Sequence, residues 1–123
     1  NALRTESINF NDIADRANNK GTTRLLHAGI GLTTESGEIL DALKKHIFYG
    51  KALDRVNLAE EMGDVFWYLA IMADELGVDF ESIMQKNIEK LKARYGEKFT
   101  LEKAAKRDLN VERRILETQI FHD

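Results

Sequence analysis

Glu35-Ser36-Gly37-Glu38 and Glu61-Met62-Gly63-Asp64 are two copies of one pattern, Glu-x-Gly-acid, with 22 residues between the acid pairs. Each copy sets two carboxylates three residues apart. On a helix that spacing turns both side chains to one side, about 60° apart around the axis. The neighbours decide how the pairs are used. At about 100° per residue, Ala28, Leu32 and Ile39 fall within roughly 60° of Glu35, and Leu58, Val65 and Met72 fall in the same sector as Glu61. Both pairs therefore lie inside the apolar stripe of their helix, where a solvated surface acid would not be placed. Two such helices facing each other would converge four carboxylates. Clustered anions repel unless a cation sits among them, and the hard-oxygen cation that fits is Mg²⁺ or Mn²⁺. Each pair also has a glycine before its second acid. Gly in a helix interior is about 0.8–1 kcal/mol worse than Ala, so close helix packing or room for a ligand is expected there.

Outward from these pairs the chain reads as helices throughout. Residues 5–18 have the mixed apolar spacing of a short helix. Asn18-Asn19-Lys20-Gly21 is a break and Thr22 an N-cap, after which a long helix runs to about Ile47 with the first acid pair. Gly50 is its C-cap. Asp54 caps the next helix, which carries the second pair to about Leu76. Gly77 closes it, Asp79 opens a fourth helix to about Tyr95, and Gly96 ends that one. A short helix over 101–106 follows. The charged remainder, 107–123, has sparse apolar residues and reads as a docking or flexible tail. No stretch alternates as a strand does. The expectation is an all-α domain spanning 1–123, with four main helices.

Composition narrows the chemistry. The 123 residues include no proline and no cysteine. The first favours long helices; the second excludes disulfides and thiolate metal sites. No apolar run approaches the ~18 residues of a membrane span, and no signal-peptide pattern opens the chain, so a cytoplasmic setting without a membrane partner is expected. Net charge is −3, without a basic patch suited to long nucleic acid. A nucleotide remains compatible, because a metal can supply the positive charge. Asn87, Lys90 and Arg94 share one edge of the fourth helix, with Met84, Leu91 and Tyr95 beside them. An amide and two cations bordering a buried stripe are what a polyphosphate needs.

Four blocks in order carry a resemblance: 25–32 (Leu-Leu-His-Ala-Gly-Ile-Gly-Leu), the first acid pair, 60–69 around the second pair, and Asn87-Ile88-Glu89-Lys90-Leu91 with Arg94-Tyr95. Together they resemble the MazG-like branch of the all-α NTP pyrophosphatases, whose motif is ExxE followed by ExxD. The resemblance covers about Leu25 to Phe99. It implies Mg²⁺-dependent hydrolysis of (deoxy)nucleoside triphosphates to monophosphate and pyrophosphate, with Mn²⁺ able to substitute, and a house-cleaning role in the nucleotide pool. It also implies a helical bundle completed by oligomerisation, as a homodimer or homotetramer. The metal ligands carry over onto Glu35, Glu38, Glu61 and Asp64, with Glu35 or Glu38 orienting or deprotonating the attacking water. The phosphate-contacting helix carries over onto Asn87, Lys90 and Arg94, bordered by Tyr95. The preferred base and sugar do not carry over.

Each feature has a plainer reading. One acid pair alone is more often a solvated face. Trp67 and Tyr68 are core or interface residues by default, although Trp67 can also stack on a base. His27, His46 and His122 read as structural, and Lys44, Lys45 and Lys51 as a solvated face and loop from which one cation could reach a phosphate. Two rival functions stay open: a carboxylate-bridged di-metal redox bundle, which lacks its Glu-x-x-His element here, and a non-catalytic helical oligomer that binds nucleotide or a partner protein.

Overall fold

A computed structural model describes residues 6, 9–96, 100, 102, 105, 106 and 108–117. The described residues are helical without a strand: α1 (Phe10–Ala17), α2 (Lys20–Tyr49), α3 (Arg55–Leu76), α4 (Phe80–Tyr95) and α5 (Leu109–Glu117). None of these helices is long and apolar enough to cross a membrane. The chain divides into two compact units, Asn1–Glu75 and Leu76–Asp123.

The helix ends follow local capping chemistry. Asn9 caps α1, accepting the Asp12 N–H at 3.3 Å. The cap of α2 is Asn19, not Thr22: the Asn19 side chain accepts the Thr22 N–H at 3.0 Å. Asn is the stronger cap of the two, so the helix starts earlier and takes Lys20 and Gly21 into its first turn. Gly50 ends α2 in the left-handed region at φ 66°, and the Gly50 and Lys51 N–H groups both donate to the Lys45 carbonyl. Asp54 opens α3 by accepting the Val56 and Asn57 N–H groups at 2.9 and 3.1 Å. Asp79 opens α4, accepting from the Ser82 N–H at 2.8 Å.

Within the first unit, α2 and α3 pair antiparallel. Arg24 bridges Asp74 and Glu75 at 2.7 Å each, His27 meets Tyr68 edge-on at 5.7 Å between ring centroids, and Glu35 faces Glu61 and Asp64. Partner numbers fall along α3 as they rise along α2, which is the signature of an antiparallel hairpin. The close approach is at Gly31. It is buried, and a Cβ there would overlap the Tyr68 ring. The glycines of the acid pairs behave differently: a Cβ at Gly37 or Gly63 would meet nothing within 4 Å, so close packing among the described residues does not explain them.

The contrast gives opposite expectations for one substitution. Gly31→Ala is expected to lower Tm, because overpacking against a ring, about 1–3 kcal/mol, outweighs the gain in helix propensity. Gly37→Ala, with open space, should raise it by up to about 1 kcal/mol of propensity. Thermal melts of the two variants check the pair; equal shifts would contradict the packing at Gly31.

In the second unit, α4 and α5 pack together around a buried charge pair. Arg94 Nε donates to Glu112 Oε1 at 2.6 Å, and Arg94 Nη2 donates to Glu112 Oε2. The two side chains are only 11% and 6% exposed. The tail expected over 107–123 is therefore a docked helix across Leu109–Glu117, opened by Asp108, which accepts the Asn110 and Val111 N–H groups at 3.1 Å. The charged positions of this helix have no partner legible in the sequence; the bidentate Arg94–Glu112 pair supplies one. Of the short helix expected over 101–106, residues 101, 103 and 104 lie outside the described residues, as do 107 and 118–123; the Lys106 N–H donates to the Glu102 carbonyl in helical register.

Candidate metal centre

The α2–α3 hairpin converges acids from both motif copies. One carboxylate oxygen each from Glu35, Glu61 and Asp64 lie within 4.8 Å of one another. Glu35 and Glu61 are half-buried and Asp64 is exposed, so the cluster opens to solvent on one side. The three donors are all hard oxygens. Two of the groups have hydrogen-bonding neighbours: the Thr34 hydroxyl lies 3.4 Å from Glu35 Oε1, and Asn57 Nδ2 donates to Glu61 Oε1 at 2.9 Å.

Glu38 is exposed and is not among the clustered oxygens. It lies one helical turn beyond Glu35 and lines a cleft of about 200 Å³ with Asp41, Lys45, Lys51, Asn57 and Glu61. That cleft adjoins the cluster through Glu61. Two lysines pair with Asp41, one of the cleft's acids. Lys44, at 2.8 Å, and Lys45 both bond Asp41, and together they hold its carboxyl down at about 2. Lys45 is pushed above its ordinary value, mainly by Asp41, with a further contribution from Glu38. The Lys51 backbone is held in place as well: its carbonyl accepts from His46 Nδ1 at 2.7 Å. Lys45 at the end of α2 and Lys51 in the loop that joins the two acid helices thus bring cations to the cleft. The sequence showed these lysines but not their place beside Glu38 and Glu61.

The α4 edge is described within its own unit. Asn87 is exposed and Lys90 half-buried, and the Lys90 ammonium forms no ion pair with a described residue. Arg94 is engaged: besides Glu112 it donates to the Tyr95 hydroxyl at 3.3 Å and lies 5.4 Å from the centre of the Tyr95 ring. The hydrogen bonds to Glu112, then to Tyr95, push the Arg94 guanidinium above its ordinary value. Trp67 is 69% exposed and borders a shallow depression with Arg24, Ala70, Ile71 and Asp74. His27 packs on Tyr68 and His46 braces the Lys51 loop, as structural readings expect; His122 lies outside the described residues.

Residues 27–99 match the family described as the MazG nucleotide pyrophosphohydrolase domain. Two curated proteins are similar to part of the chain. The Gene 37 protein of Mycobacterium phage L5 is 35% identical over 74 residues, which is 57% of this chain and 65% of the phage protein. Uncharacterized protein YvdC of Bacillus subtilis (strain 168) is 34% identical over 73 residues, 52% of this chain and 69% of that protein. The chain thus spans about two thirds of the length of either relative. No solved structure matches it.

Proposed function

The chain belongs to the MazG nucleotide pyrophosphohydrolase family, and from that premise we propose that it hydrolyses (deoxy)nucleoside triphosphates to monophosphate and pyrophosphate, clearing unwanted nucleotides from the cytoplasmic pool. The observation that carries this reading is the meeting of Glu35, Glu61 and Asp64 across two helices. Three carboxylates without a sulfur or imidazole donor fit Mg²⁺, with Mn²⁺ able to take its place. When bound, such an ion would neutralise phosphate oxygens and lower the pKa of a water molecule.

The chain's own residues do the rest. Glu35, Glu61 and Asp64 hold the ion, with Glu38 as the fourth carboxylate along α2. Glu35 or Glu38 orients the attacking water and takes its proton. The water oxygen bonds to the α-phosphorus, the bond from that phosphorus to the α–β bridging oxygen breaks, and pyrophosphate leaves with the electron pair. By the family resemblance, the phosphate-contacting helix corresponds to Asn87, Lys90, Arg94 and Tyr95 of α4, and Lys90 and Arg94 would counter charge on the leaving group. Arg94 would do so by exchanging Glu112 for a phosphate. Trp67 offers an exposed face on which a base stacks. The functional form is a homo-oligomer, a dimer or a tetramer.

Hydrolysis in ¹⁸O-labelled water with Mg²⁺ tests the cleavage position. The label is expected on the monophosphate, with pyrophosphate as the other product. Orthophosphate and a diphosphate, from protein free of phosphatase, would overturn it.

A further inference from the structure

Asn57 stands in the first turn of α3, a position where an asparagine ordinarily reads as part of a cap or as a solvated polar residue. Its side chain does something else. Nδ2 donates to Glu61 Oε1 at 2.9 Å, one turn along the same face. Its backbone N–H is fixed in turn, donating to Asp54 Oδ1 at 3.1 Å. Both Asn57 and Glu61 are half-buried. The cap of α3 therefore fixes the Asn57 backbone, and the Asn57 side-chain amide bonds the carboxylate.

Glu61 needs such a hold. Its side chain has three rotatable bonds, and the anions of Glu35 and Asp64 lie close enough to repel it out of the cluster. An ionised carboxylate offers two oxygens and about four lone-pair sites, so one neutral donor leaves ample capacity for a cation. The amide also adds no charge, so it orients Glu61 without competing for its role. We propose that Asn57 is a positioning residue that holds Glu61 in the orientation that binds the metal ion. This deepens the metal-dependent reading given above and rests on it. The expectation follows the general behaviour of outer partners of metal ligands, whose loss lowers metal affinity about 10–100-fold.

The test is Mn²⁺ binding to the full chain without nucleotide, followed by electron paramagnetic resonance, together with Tm. Asn57→Ala should raise the Mn²⁺ Kd about tenfold or more and leave Tm unchanged or higher, because Ala is the better helix former. Asn57→Leu, which fills similar space without a donor, should match it. Wild-type Mn²⁺ affinity in either variant would overturn the proposal, since volume or capping would then explain Asn57. A drop in Tm with unchanged Kd would overturn it too. Glu61→Gln is the control that separates the two readings: it should lose Mn²⁺ binding. If Glu61→Gln binds as the wild type does, the metal centre itself is misassigned and the positioning role falls with it.

Discussion

Replacing Glu61 with Gln is expected to lower turnover at saturating Mg²⁺ by about a hundredfold or more, since even an outer partner of a metal ligand is worth about 10–100-fold. Gln keeps the size and removes one charge. Glu61 links the two parts of the site: it shares the carboxylate cluster with Glu35 and Asp64, and it borders the cleft lined by Glu38. Glu38→Gln should lose turnover as severely if Glu38 serves as ligand or base. Stability should move the other way. Removing an anion from a cluster relieves repulsion, so the metal-free Tm of Glu61→Gln should hold or rise. Steady-state rates and a melt taken in chelator measure both quantities. Wild-type rates from either variant would end the metal-site assignment.

The second large effect concerns assembly. Among the described residues only Ala28, Gly31, Ala73 and Glu112 are buried, and no large apolar side chain is. Phe48 is 74% exposed and Leu40 66%. Phe66, Trp67 and Tyr68 are consecutive, about 100° apart on their helix, and cannot share one face. Tyr68 takes the place against Gly31 and His27, while Phe66 and Trp67 stay exposed. Aromatic side chains bury about 150–250 Å² each, and a stable interface buries about 1,200–2,000 Å² in total. A second copy covering these faces supplies the missing core. Sedimentation at micromolar concentration is expected to show a dimer or tetramer, and Phe66→Glu should shift it toward monomer with a fall in Tm. A compact wild-type monomer with a cooperative melt would contradict this.

The helices were legible because their signals are local. Gly50, Asp54, Gly77 and Asp79 stand at the ends they were expected to mark, since a cap depends on the few residues around it. The acids of α2 and α3 were legible as a candidate site because charge inside an apolar stripe contradicts simple amphipathicity. What escaped was pairwise. Gly31 and Tyr68 are 37 residues apart, and nothing near either position names the other. Nothing in the sequence singles out Asn57; its 2.9 Å hydrogen bond to Glu61 does. Convergence of four carboxylates was expected from spacing alone, whereas the structure clusters three and sets Glu38 along the cleft. The fourth depends on the rise of α2 past α3, which periodicity does not measure.

The Arg94–Glu112 pair has a consequence for where this protein can be cut. Family similarity runs from residue 27 to residue 99, which includes Arg94 and excludes Glu112. A boundary drawn by likeness therefore passes through a charge pair whose two side chains are nearly sealed from solvent. A fragment ending there would retain the Arg94 guanidinium without the carboxylate that neutralises it and would uncover the part of α4 that α5 packs on. The evolutionary unit and the electrostatic unit differ in this chain. Any excised or grafted version has to follow the second, carrying the sequence through Glu117 to keep α5 whole.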